Sequence, residues 1–289
     1  MKRILCCLLL AISFFVAAPA GAGNILFVTD TDTDLGIADV LTNDGHTVTV
    51  VTNDYASNNA TLQGDLSAYC AIFWSTSQTI HDEAHGIQAT ITNLSNYVSG
   101  GGHVFVTGAD GVRASYNPTT FFLDFLGAES SDDQGYNFDP VINESNSMTT
   151  GVVDIRGAIL PEGDPDISDT DSLCGPLLSG TIGIVTNSDS CNQAGGYSWT
   201  LRTLGDGEIA YVMSGNFSST NPPDEPDWTD TSMSGFGAYN GVVRNFAYNA
   251  CLEEPPAIPS MNQWGMIIFA LLMAGAGTVY LKRQRKAQS

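Results

Sequence analysis

Between residues 23 and 254 the chain has no lysine and only four arginines, Arg113, Arg156, Arg202 and Arg244. The other basic residues sit at the ends: Lys2 and Arg3 at one, Lys282, Arg283, Arg285 and Lys286 at the other. All 31 acidic residues lie in the middle stretch, which is therefore 27 net negative at neutral pH. Such a surface repels polyanions, which excludes nucleic acid and anionic lipid as partners of this region. It suits a domain facing salty or calcium-containing medium, although an acidic surface is also the ordinary solvated face of a soluble protein. No C-x-x-C spacing occurs, which argues against a zinc site. No internal repeat is visible, and long apolar runs are confined to the two termini.

Those termini carry the clearest signals. Met1-Lys2-Arg3 precedes an apolar run from Ile4 to Val16 and small residues from Ala17 to Gly23, the charged, apolar and small-residue regions of a secretory signal peptide. The run is too short to span a bilayer, and cleavage after Ala20 or Ala22 fits best, so residues 1–22 are assigned to the leader. Cys6 and Cys7 leave with it. At the other end Trp264 to Leu281 is an uncharged strip just long enough to cross a membrane, followed at once by Lys282-Arg283-Gln284-Arg285-Lys286. The preference of cations for the cytoplasmic side puts residues 282–289 inside and everything before Trp264 outside. Residues 255–263 form a linker whose Pro255, Pro256 and Pro259 keep it extended.

The residues Ile258-Pro259-Ser260-Met261-Asn262-Gln263-Trp264-Gly265, then one apolar strip and a basic end, resemble the IPTL-CTERM protein-sorting domain. The likeness covers about the last 32 residues, with Ser260 in place of Thr and Met261 in place of Leu. It implies processing by an exosortase-type membrane transpeptidase in a Gram-negative bacterium and delivery to the cell envelope or surface. Hydropathy alone leaves a permanent single-span anchor as the alternative.

Four cysteines remain after processing: Cys70, Cys174, Cys191 and Cys251. In an oxidising compartment an even number points to two disulfides, for which three pairings exist. The favoured one joins Cys174 to Cys191, closing a single irregular loop, and Cys70 to Cys251.

Residues 23–254 read as one domain. Asn24 to Thr29, Thr47 to Thr52, Tyr69 to Trp74 and His103 to Thr107 are apolar, β-branched runs. Helical spacing separates them: Leu35, Ile37, Ala38, Val40 and Leu41, stopped by Gly45, and Ile87, Ile91, Leu94, Tyr97 and Val98, closed by Gly100-Gly101-Gly102. Strands buried on both faces and alternating with helices predict a parallel α/β sheet. Phe121 to Gly127 predicts a short helix, and residues 128–205 a loop-rich insertion with short strands. Glu208 to Met213 predicts a late strand, and Val242, Val243, Phe246 and Ala247 a terminal helix reaching Cys251. The order of these pieces resembles the class I glutamine amidotransferase-like and flavodoxin-like superfamily, which implies a three-layer fold and no particular activity.

Chemistry in such sheets gathers at the carboxyl ends of the strands. Asp30-Thr31-Asp32-Thr33-Asp34 follows the first strand and matches the D-x-D-x-T opening of haloacid-dehalogenase-like phosphatases, yet the lysine or arginine and the later acidic pair of that chemistry are missing. Asp30, Asp32 and Asp34 are the candidate ligands for Ca²⁺, though Leu35 and Leu41 occupy the places of the EF-hand glycine and glutamate, and capping of the next helix is the plainer role. Further acidic loops, Asp164 to Asp171 and Asp224 to Asp230, are either calcium staples or solvated loop. After the third strand, His81 and His85 have the i, i+4 spacing of a zinc pair, but Asp82 stands where the zincin pattern needs glutamate. After the fourth, Thr107-Gly108-Ala109-Asp110-Gly111 lacks the cysteine an amidotransferase would carry there. The expectation is a non-catalytic binding, adhesion or matrix module. A secreted hydrolase using Asp30, Asp32 or Asp34 with His81 or His85 and a divalent metal is the alternative.

Overall fold

The computed structural model describes residues 22–29, 35–52, 54, 59–76, 87–108, 112, 118–133, 138–139, 142, 144–158, 171–187, 191, 195–213 and 237–252. The chain divides into a unit Met1–Leu252 and a unit Glu253–Ser289, and the second lies outside the described residues.

Five strands run parallel, in the order β2 (Thr47–Val51), β1 (Asn24–Thr29), β3 (Ala71–Ser75), β4 (His103–Gly108), β10 (Gly207–Met213). These are the apolar runs of the sequence. β3 is Ala-Ile-Phe-Trp-Ser and is buried at every position, as a central parallel strand covered on both faces must be. Helices α1 (Gly36–Asn43), α2 (Gln88–Ser99), α3 (Thr120–Leu126) and α4 (Gly237–Ala250) supply the cover. Period-two alternation sends neighbouring side chains to opposite layers. Thus Phe73 of β3 stacks on Phe105 of β4 with ring centres 4.9 Å apart, and both meet Phe246 of α4. Trp74, one residue on, meets Phe122 of α3 edge to face at 5.9 Å. Gly127 ends α3 in the left-handed conformation at φ 92°, where a side chain would strain.

Residues 128–205 depart from expectation. They extend the same sheet: β9 (Gly196–Leu204) runs antiparallel beside β10, followed by β7 (Asp171–Leu177) and β5 (Ala128–Asp133). β8 (Thr181–Asn187) also pairs with β9, and the short β6 (Phe138–Asp139) pairs with β8. The sheet is therefore mixed, with ten strands among the described residues. Asp171, read from the sequence as part of an acidic loop, opens β7, where its backbone partners Asp133 of β5, and it is 1% exposed.

Both expected disulfides are present. Cys174–Cys191 spans 17 residues within the antiparallel part, and Cys70–Cys251 spans 181, tying the start of β3 to the end of α4.

Candidate functional site

The order β2-β1-β3 contains a reversal, since the chain moves outward from β1 to β2 and then back across to β3. In parallel sheets, ligands bind outside the carboxyl ends of the strands at such a switch point. Here β1 ends at Thr29 and β3 at Ser75, and these two residues are partners in the ladder. Around them the described polar side chains are buried: Thr29, Ser75, Thr76 and Thr107 are each at most 2% exposed. Thr76 extends the β3 edge by donating both its N–H (2.8 Å) and its hydroxyl (3.0 Å) to the Thr107 carbonyl. Gly108 closes β4 at φ 152°, a backbone angle that favours glycine.

Beyond the end of β2 lies Asp54, an acid the sequence reading passed over. It is 3% exposed, and its carboxylate accepts the Thr61 hydroxyl at 2.8 Å. Its carbonyl accepts the N–H of Asn59, which is itself buried and left-handed at φ 55°. Asparagine tolerates that conformation better than most residues, so this turn is specified by its side chains. Only its buried position separates Asp54 from the many solvated acids of the chain, and position is not visible in composition.

The amino ends of the strands hold a second polar region. An open groove of ≈ 640 Å³ runs past Tyr69, Cys70, Asn93, Asn96, Tyr97 and Gly102. Its walls are already committed: Tyr97 donates its hydroxyl to the Tyr69 carbonyl (3.0 Å), and Asn93 gives its amide to the carbonyls of Leu62 and Gly64. Burial pushes the Tyr97 phenol up to about 12, opposed in part by the His103 backbone N–H. Beside it, Ser147 donates to the Glu208 carboxylate at 2.6 Å, and His103 Nδ1 stands 3.9 Å from the same oxygen. Burial holds His103 below the usual imidazole range, with Glu208 pulling the other way. The serine bonds to the acid and not to the imidazole, so this trio lacks the nucleophile-to-base contact of a hydrolytic triad.

Four groups of sequence-derived candidates, Asp30, Asp32 and Asp34, His81 and His85, Ala109 and Asp110, and the sorting residues Ile258, Pro259, Ser260, Met261, Trp264 and Gly265, lie outside the described residues. So do residues 264–281, expected to cross a membrane, the basic end 282–289 and residues 1–21 of the expected leader. No helix among the described residues is long and apolar enough to cross a membrane. Among them one cluster offers metal-ligand types, Asp132 with Cys174 and Cys191. Its sulfurs are joined to each other and its carboxylate accepts the Cys191 N–H, so the cluster serves as a clasp and offers no thiolate.

No family model and no curated protein matches the chain. Among solved structures it is similar to a ThuA-like protein from Bacteroides uniformis, at 13% identity over 82% of this chain and 93% of that one, with a TM-score of 0.41. It is also similar to the mmIFT52 N-terminal domain, at 13% identity over 66% of this chain and 85% of that one, with a TM-score of 0.39. The fold rests on the strand order and registers above.

Proposed function

We propose that the chain is an exported surface protein of a Gram-negative bacterium, carried by its leader, processed at Ile258 to Gly265 by an exosortase-type transpeptidase, and held meanwhile by one membrane strip. Its body acts as a non-catalytic binding, adhesion or matrix module. The disulfides carry this reading. Bridges of this kind persist in oxidising compartments and are rare where thiols are kept reduced. They use every cysteine outside the leader, and the last of them, Cys251, lies three residues short of the linker. The parallel order β2-β1-β3-β4-β10 supports a flavodoxin-like or class I glutamine amidotransferase-like body, from which the nucleophilic cysteine is missing in the sequence after β4. Truncation after Ala257 tests it: the product moves from the membrane fraction to the soluble exported fraction with its disulfides intact. A truncated product that stays with the membrane contradicts the reading.

The ladder pair Thr29 and Ser75 favours a second reading, a secreted hydrolase. The segments leaving those two strand ends carry Asp30, Asp32 and Asp34 on one side and His81 and His85 on the other. Metal analysis of the purified full chain separates the two: stoichiometric zinc retained through dialysis selects the hydrolase, whereas a rise in melting temperature with millimolar Ca²⁺ alone selects structural calcium at the aspartates.

A further inference from the structure

Three of the body's arginines are among the described residues, and two of them are spent on acids: Arg156 meets Asp154 and Arg244 meets Asp44, each at 2.6 Å. Arg202 of β9 has no carboxylate within ion-pair distance among the described residues. Its Nη1 donates to the Phe125 carbonyl at 3.0 Å, which caps the last turn of α3 and holds the guanidinium in place. Capping uses one arm of the fork, and Nε is buried with no acceptor. Burial holds the group below the usual arginine range, with Asp124 pulling the other way. A partly dehydrated guanidinium without a counter-ion is costly, and a carboxylate matched to its planar fork is the partner its geometry favours.

The space beside Arg202 can hold such a partner. A groove of ≈ 330 Å³, near the lower end of small-molecule sites, runs between α2, α3 and β9 with Arg202 and the exposed Asp124 both in its wall. Ile91, Phe121 and Leu204 give the same wall an apolar surface. The two charges select by sign. A ligand that is only anionic meets Asp124 inside the groove and a body 27 net negative around it. A ligand that carries an ammonium group beside its carboxylate meets an opposite charge at each and brings no net charge. An α-amino acid has both groups on one carbon, and an apolar side chain on that carbon has the apolar wall to cover. We propose that the groove between α2, α3 and β9 binds a free apolar α-amino acid, with its carboxylate on Arg202, its ammonium group on Asp124 and its side chain against Ile91, Phe121 and Leu204. This gives the binding module proposed above a ligand, and it rests on that reading.

Titration calorimetry on the full chain, purified in mild detergent, tests it with L-leucine, with N-acetyl-L-leucine, which lacks the ammonium group, and with L-leucinamide, which lacks the carboxylate. Leucine binds, and each of the other two is weaker by about tenfold or more. Arg202→Gln lowers the affinity for leucine by a similar factor, whereas Arg156→Gln, at the exposed pair with Asp154, leaves it unchanged. Because Arg202 also caps α3, the deciding variant is Asp124→Asn, at an exposed position and with an unchanged melting temperature: it weakens leucine and abolishes the preference for leucine over N-acetyl-leucine. No binding of leucine at millimolar concentration, equal affinity of the parent for leucine and N-acetyl-leucine, or a preference untouched by Asp124→Asn overturns the proposal. The truncation after Ala257 reads export and the tail separately, so failure of the ligand and failure of that reading are told apart.

Discussion

Asn245 shows how much one buried side chain can organise. It is wholly buried on α4, its Oδ1 accepts the Val153 N–H at 2.9 Å, and its amide donates to the carbonyls of Met148 and Val153. Asn249, one turn on, donates to the carbonyls of Ser147 and Thr150 and to Asn245 itself. The stretch from 147 to 153 thus satisfies its backbone on side chains in place of a ladder. Asn245→Ala strands one N–H and two carbonyls, at about 1–3 kcal/mol for each group left dry. The expected loss is about 3 kcal/mol of unfolding free energy by urea titration, against much less for Asn249→Ala, whose partners lie nearer solvent.

The histidines make a pH prediction at the same scale. Burial lowers His46 and His103 from the ordinary value of 6.5, so the unfolded chain binds protons more readily than the folded one. Their contribution is therefore complete above pH 6.5 and is lost as the pH falls through the folded values. The informative quantity is a difference between proteins: the fall in melting temperature from pH 7 to pH 5 is smaller in His103→Gln than in the parent. An identical fall in both proteins would show that His103 contributes nothing. Neither the asparagine clamp nor the depressed histidines were legible in sequence, since composition records residue types and these effects come from what surrounds them.

At the scale of elements, the parallel half of the sheet was legible and the antiparallel half was not. β1, β3 and β4 are covered on both faces, so their sequences are nearly continuous apolar runs that stand out from the polar turns between them. β5 and β8 read as Ala-Glu-Ser-Ser-Asp-Asp and Thr-Ile-Gly-Ile-Val-Thr-Asn, and polar and small residues are hard to tell from loop by periodicity alone. β8 keeps Gly183 because an added Cβ would fall on the Tyr197 ring of β9, a close approach that places a glycine mid-strand. For the cysteines the sequence left three pairings, and the favoured one is present: a short separation in the antiparallel half and a long one joining the start of β3 to the end of α4.

Those two bridges should have unequal weight. In the chain-entropy account a loop of 17 residues contributes about 3 kcal/mol and one of 181 residues about 5 kcal/mol. Cys70→Ser with Cys251→Ser should therefore lower the urea midpoint more than Cys174→Ser with Cys191→Ser, and hydrogen exchange should loosen around β7 and β9 only in the second pair. Equal midpoints, or exchange spread over β1 and β3 in the second pair, would contradict the division into a parallel half and a separately clasped antiparallel half.

At the scale of the whole molecule, an acidic, lysine-free body closed by two disulfides is flanked by the segments proposed above as a leader and a sorting tail. The candidate site was legible only as an address, the carboxyl ends of β1, β3 and β4, because topology depends on strand order and the sequence supplies strands without their neighbours. Buried Asp54 and the Thr29–Ser75 pair came from the fold. The ends of the chain make the claim most open to direct measurement. Intact-mass and peptide analysis of the protein recovered from the surface of its native host should find a chain beginning at Gly21 or Gly23, no free thiol, and no peptide from Trp264 to Leu281. A surface protein that retains that peptide, or that carries reduced Cys70 and Cys251, would contradict export through a processed sorting tail.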